Sequence, residues 1–100
     1  MKSPEFRFRV KVDVFRGKAD WYHALLPRDG SLVLDEMFSS QKRGWASLPV
    51  SVFLGDTTWE TSIFFDRKKE RYMLPLKKEI RKKEGLDVGD EIDIVVEVIV

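Results

Sequence analysis

The feature that most restricts this chain is the strict alternation at its start. Phe6, Phe8, Val10, Val12 and Val14 share one parity, while Arg7, Arg9, Lys11 and Asp13 occupy the other. A period of two belongs to a strand with one buried face and one wet face. "RGKAD" supplies a turn, and "WYHALLP" returns as a second strand ending at Pro27. So short a connection makes the pair antiparallel. The alternation recurs from Trp45 to Leu54, with Ala46, Leu48, Val50, Val52 and Leu54 on one side, and Pro49 implies an edge or a bulge. Gly55-Asp56 reads as a two-residue hairpin turn into a fourth strand, Thr57 to Phe65, with Trp59, Thr61, Ile63 and Phe65 on one face. The final strand carries an apolar row of Ile92, Ile94, Val96, Val98 and Val100.

Two segments change period. In "RDGSLVLDEMFSSQKRG", Val33, Leu34, Met37 and Phe38 fall at helical spacing, with Asp29 or Ser31 available as the cap. After the charged loop "DRKKE" and a short fifth strand, "RYML", Pro75 suits the first turn of a second helix. Leu76 and Ile80 would face inward, and Gly85 would end the helix in a left-handed conformation. Leu86 and Val88 would tack the following loop to the core, with Gly89-Asp90 as its turn. "YHALLP", helix, strand is echoed by "YMLP", helix, strand. The expected fold is mostly β: a single domain over residues 1–100, a small six-stranded barrel, closed or nearly closed, capped by two short helices.

One hundred residues suffice to bury a core without a metal or a disulfide, and the chain has no cysteine. Its amino terminus lacks an uninterrupted apolar core, and no stretch approaches the length of a membrane span. A cytoplasmic location without membrane association is expected.

The block "LPLKKEIRKKEGLDVGDEIDIVVEV", with "FRFRVKV", "WYHALLP" and "VSVFLGDTTWETSIF", resembles the bacterial and archaeal family called domain of unknown function 1905. Its most specific part is leucine-proline, a charged helix with Ile80-Arg81, then Gly85-Leu86 and Val88-Gly89-Asp90. The resemblance covers essentially the whole chain. It implies a double-split β-barrel capped by helices, no agreed activity, and occurrence attached to other domains. The same block is similar to the half-barrel of the AbrB and MazE swapped-hairpin proteins, which close a barrel from two chains and bind DNA. Here one chain holds both halves, and "WYHALLPRDGSLVLDEMF" lacks a matching basic helix.

The residues offer little for catalysis. His23 is the only histidine, the serines lie in no nucleophile-elbow context, and the six glycines form no phosphate loop. Asp35-Glu36 and Asp90-Glu91 are adjacent pairs, unsuited to sharing a proton. No catalytic, cofactor-binding or metal-ligating set is expected, and the chain reads as a non-enzymatic binding module. Between Arg67 and Glu84, nine Lys or Arg stand against three Glu, a local balance of +6, while the remainder balances at −5. Such segregation suits an anionic partner. The candidate nucleic-acid contacts are Arg67, Lys68, Lys69, Lys77, Lys78, Arg81 and Lys82, with Arg71 and Lys83 beside them. Arg81 could instead pair with an acidic residue at the barrel rim, and Trp21, Trp45 or Trp59 could stack on bases. A protein-interaction or accessory role is the alternative, and a small-molecule site around Trp21, His23 and Trp59 is a third. A monomer is favoured.

Overall fold

The structure, a computed structural model, describes residues 4–42 and 46–100. The alternating segments form β1 (Glu5–Phe15), β2 (Trp21–Leu25), β3 (Ser47–Leu54), β4 (Thr57–Asp66), β5 (Arg71–Pro75) and β6 (Glu91–Val98). The helical segments form α1 (Arg28–Met37) and α2 (Lys78–Glu84), with a 3-10 turn at Ser39–Gln41. The strands close into one barrel in the order β1-β2-β5-β4-β3-β6, every pairing antiparallel. Closure leaves no strand with an unpaired side, which removes the sites at which sheets aggregate. The Trp45 start expected for the third strand lies outside the described residues.

Parity decides what fills the barrel. Val10, Val12, Leu48, Val50, Val52, Leu54, Ile63, Tyr72, Leu74, Ile94, Val96 and Val98 are buried. Each end is plugged by the approach to a helix: Leu26, Leu34 and Phe38 at one, Leu76 at the other. Burial of these side chains, at roughly 1.5–3 kcal/mol each, is the main stabilising term. Helix α1 lies so close to β1 that a Cβ at Gly30 would sit 2.4 Å from Cε1 of Phe8.

The chain is built twice. Exchanging β1 with β4, β2 with β5 and β3 with β6 reproduces the strand order. The seam between β2 and β5 makes this concrete, because Leu26 N donates to Tyr72 O while Leu76 N donates to Tyr22 O, each at 2.9 Å. Tyr22 and Leu26 therefore correspond to Tyr72 and Leu76. The two Leu-Pro pairs do not correspond, and the register of the repeat comes from the tyrosines.

Several expectations need correction. Neither Asp29 nor Ser31 caps α1; Pro27 precedes the helix, and its carbonyl accepts the Ser31 amide at 2.9 Å. Ser31 is instead buried inside the first turns, where its hydroxyl accepts Tyr72 N at 2.9 Å and donates to Leu26 O at 3.4 Å. Of the apolar positions on α1, Leu34 and Phe38 point inward, whereas Val33 and Met37 are exposed. Pro75 does not start α2. The bond from Leu76 N to Tyr22 O keeps the chain extended past it, so it ends β5 and the helix begins at Lys78. Its missing donor faces the side of β4, whose pairing with β5 has already ended at Met73.

Pro49 makes no bulge, but it does sit at a local edge, one residue past the last pair between β3 and β6, Val50 with Val98. Register with β4 runs unbroken from Ser47 to Leu54, and Pro49 O accepts Ile99 N just beyond the end of β6. Its ring nitrogen faces that end, so the missing donor costs no bond within the paired span of β3 and β6. Val88 is exposed, because its loop is held by backbone bonds from Gly89 N to Val12 O and from Val12 N to Asp90 O. Val100 lies beyond the last strand and is exposed, which ends the apolar row at Val98. Other turns match expectation: Gly55 has φ 57° between paired Leu54 and Thr57, and Gly85 closes α2 at φ 63°.

One polar cluster lies at the α1 end. Tyr72 is buried, meets Phe65 edge-on at 5.1 Å between centroids, and donates from its hydroxyl to Asp35 at 3.3 Å. Asp35 also pairs with Lys42, whose ammonium lies 5.1 Å from the Phe65 ring centre. Burial first, and then the Asp35 charge and hydrogen bond, push the Tyr72 hydroxyl above its ordinary value of 10.0.

Two stability experiments follow from this arrangement. Ser31→Ala strands the buried Tyr72 amide, and urea unfolding should show a loss of about 2 kcal/mol. Because the folded value of Tyr72 is raised, its contribution is complete below about pH 10 and declines as pH rises toward the folded value. Above pH 10, stability of the wild type should therefore fall more steeply than that of Tyr72→Phe, as measured by denaturation midpoints between pH 8 and 11. Parallel curves would contradict that linkage.

Candidate functional site

The topology divides the basic segment in two. Arg67, Lys68 and Lys69 are exposed in the turn between β4 and β5. The Asp66 carboxylate accepts Lys68 N at 3.0 Å and Lys69 N at 3.1 Å, which fixes the turn and releases both lysine side chains to solvent. Lys77, Lys78, Lys82 and Lys83 are exposed on or beside α2, at the opposite end of β5. At about 3.4 Å per residue, β5 separates the two clusters by roughly 15 Å. The clusters thus bracket one face of the barrel, and do not merge into a single patch.

Two arginines of the segment are engaged within the protein. Arg71 donates from Nε to Leu26 O at 2.7 Å and from a terminal nitrogen to Leu25 O at 3.2 Å, covering carbonyls where β2 ends. The Arg81 guanidinium carbon lies over the Tyr22 ring, 3.6 Å from its centre, and Nε donates to Leu76 O at 3.1 Å. The expectation of an acidic partner at the rim is replaced by an aromatic ring and a carbonyl. Arg81 is the counterpart of Ser31, and each side chain donates to the carbonyl of the residue five positions earlier. Packing inside the protein occupies Arg81, so the candidate set loses it as a free cation.

Between the clusters, the outer face of β2 and β5 forms a groove of about 410 Å3 lined by Phe15, Trp21, His23, Leu25, Met73 and, at one end, Asp66 and Lys69. Phe15 and Trp21 are 66% and 46% exposed, unusual for side chains of that size. His23 is 8% exposed; its Nδ1 lies 3.2 Å from Trp21 O, and its ring centre is 6.1 Å from that of Trp21. A carbonyl oxygen only accepts, so Nδ1 carries the hydrogen. Trp59 takes no part in this groove, since it packs against the core from the inner face of β4. Trp45 lies outside the described residues.

Phe15, Leu25 and Met73 were not among the residues singled out from sequence. A signal was present: "WYHAL" carries no charge on either parity, so the outward side of β2 is as uncharged as the inward side. A second exposed apolar pair, Val33 and Met37, stands one turn apart on α1. Among the described residues no three His, Asp or Glu side chains gather at metal-ligand range. No helix among them is long and apolar enough to cross a membrane.

Arg81→Lys should cost about 1 kcal/mol, because a single ammonium cannot lie over the Tyr22 ring while also reaching Leu76 O. Lys78→Ala and Lys82→Ala, at exposed positions, should each stay within about 0.5 kcal/mol of wild type. Thermal melts of the three variants decide this, and equal shifts would refute the distinction.

The family described as Domain of unknown function (DUF1905) matches residues 8–96, and the chain belongs to it. No curated protein matches the chain.

Proposed function

We propose that this member of the DUF1905 family is a non-enzymatic, cytoplasmic binding module that holds single-stranded nucleic acid across the outer face of β2 and β5. The observation that carries this reading is the order of chemistry along that face: exposed lysines, an aromatic groove, exposed lysines. Single strands are bound sequence-tolerantly by cationic tracks for the phosphates and exposed rings on which bases stack. A face of this length suits a short segment, on the order of four nucleotides. Duplex DNA would gain the phosphate contacts and leave Phe15 and Trp21 without partners.

Lys68, Lys69, Lys78 and Lys82 are the proposed phosphate contacts, with Arg67 and Lys77 beside them. Arg71 and Arg81 keep their structural partners in the complex. Phe15 and Trp21 supply the stacking surface, each worth on the order of 1–3 kcal/mol per base.

Fluorescence anisotropy with labelled oligonucleotides across a salt series tests the reading. Neutralising four phosphates would give a slope of log K against log salt near −3, from about −0.7 per contact. Removing two contacts in a Lys78→Ala, Lys82→Ala double variant should reduce that slope by about 1.4. Trp21→Ala should weaken single-strand binding roughly tenfold or more while leaving the slope unchanged. The reading is lost if nothing binds at low salt, or if the lysine variants leave the salt dependence intact.

A further inference from the structure

We infer that the groove takes a single unstacked base edge-on to His23, and that it selects rings presenting an N–H donor to the imidazole. This rests on the nucleic-acid reading above, and it assigns a specificity role to a residue that reading does not require. The backbone fixes the tautomer: Trp21 O occupies Nδ1–H at 3.2 Å, which leaves the Nε2 lone pair as the second ring nitrogen's only offering in the neutral side chain. His23 is more than nine-tenths buried, yet it lines the groove, and among the described residues no buried side-chain nitrogen or oxygen lacks a partner. Nε2 has no donor among the described residues and is therefore not sealed from solvent, and the groove is the surface that His23 lines.

The rest of the lining agrees in sign. Asp66 contributes a carboxylate at one end of the groove, and Asp13 stands beside His23 in register across β1 and β2. Both are acceptors when ionised, so Lys69 is the sole cationic donor in the lining. The walls are apolar, from Phe15, Leu25 and Met73, and Trp21 provides a ring face. At about 410 Å3 the groove falls within the range of small-ligand sites. A flat heterocycle would stack on Trp21 and turn an N–H toward Nε2. The phosphates on either side of that nucleotide would lie toward the two lysine clusters, which is the complementarity that favours a nucleotide over a neutral planar ligand.

Thymine carries one N–H, at N3, on the edge it would present, and methylation at N3 removes that donor while preserving the ring. Labelled oligothymidylate and its fully N3-methylated counterpart should be compared by anisotropy at one salt concentration, for the wild type and for His23→Phe. The wild type should prefer the unmethylated strand about tenfold, consistent with the loss of a partner for a buried polar group. His23→Phe should bind both strands alike while retaining the wild-type salt slope. Equal binding of the two strands by wild type would overturn the inference and leave the nucleic-acid reading standing. Preference retained in His23→Phe would overturn it too, since the discrimination would then be steric. Absence of binding by either strand at low salt would remove both. A circular dichroism melt of His23→Phe confirms folding, and His23→Gln, which keeps an acceptor, should restore part of the preference.

Discussion

The seam between β2 and β5 is the constraint on which this structure depends. Only three Cα pairs join the strands, yet without them the two halves would each present an open sheet edge. The seam is prolonged by the reciprocal bonds between Leu26 and Tyr72 and between Leu76 and Tyr22, which carry the chain extended past both strand ends. Those bonds fix where each helix can start, and so fix which residues reach the barrel mouths. Pro27 and Pro75 are placed differently for this reason, although both follow a leucine.

Below that seam, the halves solve one problem with different side chains. The carbonyls of Leu26 and Leu76 face the helix that follows them, and each needs a donor. At Leu26 the carbonyl receives Arg71 Nε at 2.7 Å and, from the buried side, the Ser31 hydroxyl at 3.4 Å, and Ser31 also receives the Tyr72 amide. At Leu76, Arg81 supplies the donor from a longer arm and places its guanidinium over the Tyr22 ring. One mouth is consequently closed by a buried tyrosine bonded to Asp35, and the other by an arginine lying over a half-buried tyrosine. The difference in side-chain length accounts for the shape of each end, and it explains why a charge count overstates the free cations near α2.

Much of the architecture was legible because alternation is a short-range signal. Val10 and Val12, or Val50 and Val52, declare a buried face regardless of what lies opposite. Gly55 and Gly85 were equally readable, since few other residues accept their backbone conformation. The failures share a different cause. Val33, Met37 and Val88 are apolar in a pattern that suits burial, and only the three-dimensional docking of α1 and the backbone bonds of the last loop leave them outside. The groove lay hidden for the same reason, because Met73 reaches Phe15 and His23 only through the pairing of β2 with β5, which is a property of closure. Splitting of the cationic run into two clusters also required knowing that β5 lies between them.

The internal correspondence between halves has one more implication, which concerns how the molecule tolerates change. In a cylinder assembled from two identical polypeptides, every replacement appears twice, and any gain on one flank must be compatible with its duplicate on the other. A chain that contains both versions is free of that coupling. The position of Trp21 is matched by Arg71 and that of His23 by Met73, so the shared face around the pseudo-dyad is chemically one-sided. Polarity along that face, with a defined head and tail, is a property that exact duplication would forbid.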